Sequence, residues 1–141
     1  MIYLGSDHAG FKTKEVIKKY LEKNKIRFTD LSSKFVDGDD YPDHAKKVAK
    51  KVAKDKKSKG ILVCGSGTGM TIAANRIKGV RAALAYDKYS AVMARKDNDT
   101  NIIALRGRNF PAKKAVDLVK LWLKTPFTGK SRHKKRIKKL G

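Results

Sequence analysis

Short apolar runs alternate along the chain with longer stretches in which apolar residues recur every three or four positions. The short runs predict five strands, at residues 2–4, 26–31, 61–63, 82–85 and 102–105. The longer stretches predict helices over about residues 9–24, 43–57, 88–96 and 111–124, and one more from a glycine-rich turn to about residue 77. The polar stretch 32–43, with Gly38 and Pro42, predicts a loop.

This alternation of strands and helices determines the predicted fold class. It is typical of right-handed crossovers that build a parallel sheet with helices on both faces. The run 61–63 is apolar throughout, as expected of a strand that is buried on both sides. No internal repeat or linker divides the sequence, so we predict a single α/β domain over residues 1–141. Residues 128–141 follow the last strand–helix unit, and we predict that they form a basic helical tail.

The composition is that of a globular protein with a strongly basic surface. The chain has 141 residues, of which 40% are apolar, and a formal net charge of +22. Such a charge indicates an anionic partner, namely nucleic acid, a membrane surface or a phosphorylated substrate. The alternative is a lysine-rich solvated helix face, which we favour for one stretch because its lysines have helical spacing. That stretch contains Lys46, Lys47, Lys50, Lys51, Lys54, Lys56, Lys57 and Lys59.

Cysteine content and hydropathy indicate a cytoplasmic protein. Cys64 is the only cysteine, so no disulfide forms within the chain, and a reducing compartment is expected. No apolar run reaches the ~18 residues that a membrane span needs. Residues 1–5 show neither the basic nor the apolar segment of a signal peptide, so we expect none.

Three polar segments are candidates for a functional site. They are residues 5–10, 64–69 and 97–101. Ligands of open parallel sheets bind beyond the carboxyl ends of the strands, and we expect all three segments to meet at that edge.

The segment from Cys64 to Gly69 carries the most chemical information. Its glycines allow a tight turn that brings backbone amides close to a ligand, and the turn opens a helix whose dipole favours negative charge. A thiolate at this position is a candidate nucleophile or base. The alternative is a phosphate-binding loop with an incidental buried cysteine. No lysine follows Gly69, however, and the segment lies after the third strand, so neither the P-loop nor the dinucleotide pattern fits.

The other two segments are less specific when each is considered alone. Asp7 fits a helix cap and His8 a surface residue, while Asn98 and Asp99 are common in turns. Their joint expected position beside the glycine-rich turn favours a shared site.

Longer motifs then identify the chain as similar to a known family. They are Gly5-Ser6-Asp7-His8-Ala9-Gly10-Phe11, Asp40-Tyr41-Pro42-Asp43, Cys64-Gly65-Ser66-Gly67-Thr68-Gly69, Ala73-Ala74-Asn75-Arg76, Asn98-Asp99-Thr100-Asn101 and the tail Arg132-His133…Arg136. In order and spacing these resemble the ribose-5-phosphate isomerase B / galactose-6-phosphate isomerase family over essentially the whole chain.

The resemblance implies a Rossmann-like three-layer sandwich around a five-stranded parallel sheet. It also implies an aldose–ketose isomerase that needs no metal and no cofactor and converts ribose 5-phosphate to ribulose 5-phosphate through an enediolate. A six-carbon sugar phosphate, allose or galactose 6-phosphate, is the alternative substrate. The implied assembly is a homodimer or a homotetramer with active sites shared between subunits, in which the tail 128–141 contacts the neighbouring subunit.

The resemblance also assigns roles to individual residues. Cys64 matches the base, and Ser66 matches the hydroxyl that orients it. The residues that match the enediolate-binding loop are Gly65, Gly67, Thr68 and Gly69. Those that match binders of the sugar hydroxyls are Asp7 and Asn98, and those that match binders of the substrate and its phosphate are His8, Arg108, Arg132 and Arg136.

One position departs from the family pattern. Family members usually have a histidine that opens the cyclic sugar just before the Asn-Asp-Thr-Asn motif, where this chain has Asp97. A carboxylate acts as an acid only when its surroundings raise its pKa. The ring-opening group is therefore Asp97, His8 or no residue at all.

A nucleic-acid-binding protein is the competing interpretation of the charge. The basic stretches lack interleaved aromatic residues for base stacking, which argues against a specific nucleic-acid partner.

Overall fold

The computed structural model describes all 141 residues and contains five strands and six helices. In chain order these are β1 (Ile2–Ser6), α1 (Phe11–Lys23), β2 (Phe28–Asp30), α2 (Tyr41–Lys54), β3 (Lys59–Cys64), α3 (Thr68–Asn75), β4 (Ala82–Leu84), α4 (Lys88–Lys96), β5 (Ile102–Arg106), α5 (Ala112–Lys124) and α6 (Ser131–Leu140). Every predicted strand and helix is present, and the basic tail contains α6.

The strands form one sheet in the order β2-β1-β3-β5-β4, and every neighbouring pair is parallel. β3 lies at the centre, with Gly60 opposite Tyr3 of β1 and opposite Ile102 of β5. The predicted parallel sheet is confirmed. Its carboxyl edge gathers the ends of β1, β3 and β5.

Side chains alternate between the two faces of β3 and enter two separate cores. Ile61 and Val63 pack with buried residues of α1, α4 and α5 on one face. Leu62 and Cys64 pack with buried residues of α2 and α3 on the other. Both faces of the sheet are covered by helices, which confirms the three-layer sandwich.

Several element boundaries differ from the predicted ones by up to three residues, and those of β2 and α2 affect the site. β2 keeps only three residues because it is an edge strand that pairs with β1 alone. α2 begins at Tyr41, two residues earlier than expected, with Pro42 in its first turn. Proline is accepted there because first-turn amides have no partner within the helix. The loop between β2 and α2 therefore spans residues 31–40, and it starts at the carboxyl edge.

A buried ion pair supports the start of this loop. Lys14 of α1 is fully buried, and its ammonium group contacts the carboxylates of Asp30 and Glu15 at 2.5 Å and 2.8 Å. The pairing satisfies a charge that burial alone would make costly.

The tail lies at the amino edge of the sheet, where the strands begin, opposite the carboxyl edge. The amide and hydroxyl of Thr128 both donate to the Lys96 carbonyl, at 3.3 Å and 2.9 Å. His133 of α6 is 7% exposed and lies beside Asp97 at the end of α4. None of the six helices combines the length and apolar character required to span a bilayer.

Candidate active site

A cavity of about 310 Å³ opens at the carboxyl edge of the sheet. The residues that line it are Asp7, His8, Asp39, Tyr41, Cys64, Gly65, Ser66, Gly69 and Arg108. The predicted segments 5–10 and 64–69 meet here because β1 and β3 are adjacent. Two of the three polar segments are thus brought together as expected.

Cys64 is the last residue of β3 and is 4% exposed. Its Sγ accepts a hydrogen bond from the Gly67 amide at 3.1 Å. Gly67 has φ +81°, and a Cβ there would lie 2.6 Å from Leu84. Both facts require glycine at this position, so the turn that aims an amide at the thiol depends on Gly67.

Three amides of the glycine-rich turn have no acceptor within the chain. They belong to Gly65, Ser66 and Gly69, all of which line the cavity beside Cys64. Since α3 begins at Thr68, these donors lie at or next to a helix N-terminus. The arrangement can stabilise negative charge on a ligand oxygen without rearrangement.

The ring of Tyr41 lies directly against Gly69. A Cβ at Gly69 would come within 2.4 Å of the ring. α2 therefore closes one side of the cavity through an aromatic side chain, and only glycine leaves room for it.

The hydroxyl of Ser66 does not contact the thiol. Its Oγ accepts from the Thr68 amide at 3.3 Å instead. The Gly67 amide, not the Ser66 hydroxyl, holds Sγ of Cys64. Gly67 and Thr68 themselves lie outside the cavity lining.

Asp7 combines the two interpretations that the sequence allowed. Its Oδ1 accepts from the Gly10 amide at 3.0 Å at the start of α1, so it acts as a local cap. The residue is 5% exposed and also lines the cavity. Capping fixes the carboxylate, and its second oxygen remains for a ligand.

Asp39 links two histidines beside the cavity. Its Oδ1 accepts from the His8 amide at 2.7 Å and lies 3.1 Å from His8 Nδ1, while Oδ2 lies 2.7 Å from His44 Nε2. Burial raises the pKa of Asp39, but the hydrogen bonds from the His8 amide and from the two imidazoles outweigh it. The pKa of this carboxyl therefore lies below its ordinary value, and Asp39 is ionised near neutral pH.

Arg108 is held over the glycine-rich turn by the backbone that follows β5. The amides of Gly107 and Arg108 donate to the carbonyls of Cys64 and Gly65, at 2.8 Å and 3.1 Å. A Cβ on Gly65 would lie 3.1 Å from the Arg108 guanidinium group. One permanent cation thus sits at the cavity, as predicted.

The third polar segment, 97–101, is not at this edge, and the expectation that placed it there is wrong. These residues precede β5, and a chain segment that leads into a strand lies at the amino end of that strand. Four residue steps separate Ile102 from Arg106, the partner of Cys64, which amounts to about 13 Å of sheet. Asp97 and Asn98 therefore do not join the Cys64 cavity of their own chain.

The 97–101 segment is nevertheless rigidly held. Arg95 and Arg81 both contact the carboxylate of Asp99, at 2.7 Å and 3.3 Å. The Trp122 indole donates to Thr100 Oγ1 at 2.9 Å. Asn98 is left exposed by these contacts.

Asp97 is partly exposed and has a histidine beside it. Its Oδ1 lies 3.4 Å from Nε2 of His133 on α6. The sequence motifs include His133, yet sequence reasoning gave it no role.

The two tail arginines belong to the same edge as Asp97. Arg132 and Arg136 are exposed on α6, and their i, i+4 spacing places them on one face of the helix. Within a single chain, the elements predicted to form one site thus occur as two groups at opposite edges of the sheet.

Sequence reasoning missed Tyr41, Asp39 and His44. The residues follow β2, so the rule that points to the carboxyl ends of parallel strands could have found them. No group of three or more histidine, cysteine or carboxylate side chains is arranged to hold a metal ion.

Comparison with protein families gives a match over nearly the whole chain. Residues 2–140 match the model of a family described as Ribose/Galactose Isomerase. The ribose-5-phosphate isomerase B of Escherichia coli is 37% identical over 136 residues, which cover 96% of this chain and 91% of that protein. The ribose-5-P isomerase B of Listeria innocua is 40% identical over 128 residues, which cover 91% and 86%.

Solved structures agree with these matches. The ribose 5-phosphate isomerase of Thermotoga maritima superposes with a TM-score of 0.94 at 44% identity, covering 99% of this chain and 95% of that one. The ribose-5-phosphate isomerase B of Mycoplasma genitalium, solved with bound ribulose-5-phosphate, superposes with a TM-score of 0.94 at 38% identity, covering 99% and 92%. Together with the cavity at the carboxyl edge, these likenesses show that the chain belongs to the ribose/galactose isomerase family.

Proposed function

We propose that this enzyme interconverts ribose 5-phosphate and ribulose 5-phosphate through an enediolate, with Cys64 as the base. The observation that carries the proposal is a single thiol held beside three unpaired amides in one cavity. The names of the relatives, and the ribulose-5-phosphate bound to the Mycoplasma genitalium enzyme, support the choice of a pentose phosphate.

The proton transfer assigns a role to the thiol. The Cys64 thiolate removes the proton from C2 of the open-chain aldose, and the electrons of that bond form the C1–C2 double bond. The carbonyl oxygen at C1 becomes negative in this step. The proton of the C2 hydroxyl passes to the negative oxygen on C1, the thiol returns its proton to C1, and the C2–O bond becomes the new carbonyl. Reactant and product have the same composition, so no oxidant or cofactor enters the balance.

The amides of Gly65, Ser66 and Gly69 stabilise the charge on oxygen. They are already oriented and have no other acceptor, so they interact more strongly with the enediolate than with the neutral carbonyl. The free oxygen of Asp7 accepts a hydrogen bond from a sugar hydroxyl.

The phosphate needs cations, and one chain supplies His8 and Arg108 at this cavity. We infer that Arg132 and Arg136 of a second chain complete the clamp, and that Asp97 and Asn98 of that chain face the sugar. These residues lie at the amino edge of their own sheet. A two-fold assembly would therefore place the carboxyl edge of each chain against the amino edge of its partner. The exposure of both arginines and of Asn98 agrees with such a contact.

Asp97 is the candidate for sugar-ring opening. Nε2 of His133 lies 3.4 Å from its carboxylate. The pair offers an imidazole near the position where the family usually has one.

A substrate panel tests the proposal. Purified protein is assayed with ribose 5-phosphate, ribulose 5-phosphate, allose 6-phosphate and galactose 6-phosphate, and kcat/KM is compared. The highest value with the pentose phosphates supports the proposal. A higher value with a hexose phosphate would assign the enzyme to the six-carbon branch of the family, and no turnover of any sugar phosphate would overturn the proposed activity.

A further inference from the structure

We propose that Asp39, backed by His44, is a positioning residue that fixes the His8 imidazole with its proton on Nδ1 and leaves Nε2 for the phosphate of the substrate. This inference rests on the proposed function and deepens it. It concerns three side chains from three parts of the chain: the end of β1, the loop after β2, and the first turns of α2.

The contacts define a linear order of groups. His8 and Asp39 line the cavity, and His44 lies behind Asp39. Oδ1 of Asp39 receives both the amide and Nδ1 of His8, so backbone and ring are held by one oxygen. The remaining oxygen, Oδ2, is 2.7 Å from His44 Nε2. The side chains of Asp39 and His44 are each only 14% exposed, so solvent competes little for these bonds.

The acceptor character of Asp39 determines where the protons lie. An ionised carboxylate can only accept, and the low pKa of Asp39 keeps it ionised. Each imidazole nitrogen that faces it must therefore carry a proton. His8 is protonated on Nδ1 and His44 on Nε2.

The second nitrogen differs between the two rings. Nδ1 of His44 is buried and has no hydrogen-bond partner. A buried N–H without an acceptor is costly, so this nitrogen carries a lone pair and the proton of the ring lies on Nε2. His8 is 29% exposed at its side chain, and Nε2 is its free nitrogen. His8 is therefore the ring that can take a second proton and donate it to an anionic ligand.

The groups around His8 favour its binding to an anionic ligand. Arg108 lines the same cavity and adds a permanent positive charge, and the Asp39 carboxylate lies 3.1 Å from Nδ1 of the ring. The Asp39 carboxylate holds Nδ1 of His8, so a phosphate that approaches Nε2 meets a ring already fixed in orientation beside Arg108. The phosphate then receives one charge-assisted hydrogen bond from Nε2 and others from guanidinium groups.

Asp39→Asn tests the inference because an amide has only one acceptor atom and cannot accept from both rings. Asp37→Asn is the matched control, since Asp37 is exposed on the same loop and the charge change is equal. Nitrogen chemical shifts of the imidazoles, measured by NMR on the free protein, report the tautomer of each histidine. His133 serves as an internal reference because it lies at the opposite edge of the sheet.

We expect His8 to be protonated on Nδ1 alone in the unliganded wild type at high pH, and His44 on Nε2. In Asp39→Asn one of the two rings should become a mixture of tautomers. KM for ribose 5-phosphate should rise about tenfold, as for loss of a charge-assisted contact, with a smaller change in kcat. Asp37→Asn should change neither quantity. Unchanged tautomers and an unchanged KM in Asp39→Asn would overturn the inference. The proposed function would still stand in that case, because it is tested separately by the activity of the wild-type enzyme on ribose 5-phosphate.

A second pair of variants keeps the test valid if Asp39→Asn does not fold. His44→Gln retains a donor for Asp39, whereas His44→Phe removes it at similar volume. We expect KM to stay near the wild-type value in the first and to rise in the second. Equal values in the two variants, with His8 in its wild-type tautomer, would show that His44 does not support Asp39.

Discussion

The Gly67 amide points at the sulfur of Cys64 from 3.1 Å and so supports negative charge on the only thiol of the protein. Cys64→Ser keeps the size and the hydrogen-bond acceptor but replaces the thiol with a far weaker acid. We expect it, like Cys64→Ala, to lower kcat by at least ~10²–10⁴ with no loss of cooperative unfolding. Steady-state assays of the folded variants decide this, and activity within threefold of wild type would place the base elsewhere.

The separation of Cys64 from Arg136 predicts complementation between inactive variants. Cys64→Ala and Arg136→Ala subunits are each expected to be poorly active alone. After unfolding and joint refolding, a mixed dimer contains one site with both groups intact, if they come from different chains. We expect activity to return toward a quarter of the wild-type value per chain for statistical mixing. No recovery, despite heterodimers detected by native mass spectrometry, would show that each chain completes its own site.

Asp97 is expected to affect one substrate more than the other. Asp97→Asn preserves shape and removes the ionisable group beside His133. We expect kcat/KM for ribose 5-phosphate to fall by about 10², since its cyclic form must open before reaction. Ribulose 5-phosphate cannot close a furanose ring because its 5-oxygen carries the phosphate, so it provides the internal control. Equal losses for both sugars would indicate a structural role for Asp97.

Because the pKa of Lys59 is lowered in the folded state, we expect this residue to make the stability of the protein depend on pH. Burial lowers its pKa first, and the positive charge of Arg95 lowers it further, against the opposing effect of the Asp99 carboxylate. The folded state therefore loses the Lys59 proton at a lower pH than the unfolded state does. Between the pKa of Lys59 in the folded state and its pKa in the unfolded state, the free energy of unfolding rises with pH. At neutral pH the charged lysine is destabilising.

Lys59→Met should therefore raise Tm at pH 7 by about 1–3 °C, and the gain should shrink in strongly alkaline buffer. Lys57→Met, on the exposed turn before β3, should change Tm little. Calorimetry at several pH values measures both variants. A Tm at pH 7 that falls in Lys59→Met, or that rises equally in both variants, would contradict the pKa shift as its cause.

The extent to which the sequence predicted this structure differs between elements for physical reasons. β3 and β5 were found within two residues because strands buried on both faces are apolar throughout. β2 was drawn too long because alternation continues beyond the three residues that pair with β1. The order of strands in the sheet depends on contacts between distant segments, which local patterns do not record.

The placement of the candidate site was predicted correctly for two polar segments and wrongly for the third. The glycine-rich turn and Asp7 met as expected because both follow strands that are neighbours. Asp97 was placed at the wrong edge because a rule for residues after a strand was applied to residues before one. Sequence reasoning missed Asp39 and His44 because their hydrogen bonds join residues that are not adjacent in the chain. Asp39 lies 31 residues from His8 and 5 residues from His44, and only the folded structure brings the three side chains together.

The placement of Cys64 and Asp97 at opposite edges of one sheet connects catalysis to concentration. If a working site needs one edge from each of two chains, a lone chain has no turnover, and specific activity becomes a measure of association. Well below the dissociation constant of the dimer, the rate falls with the square of the protein concentration, and the apparent KM rises because the sugar phosphate binds only to the assembled dimer. Dilution then acts as an inhibitor that the substrate opposes, and a peptide or mutation that covers either edge would inactivate the enzyme without contacting the sugar.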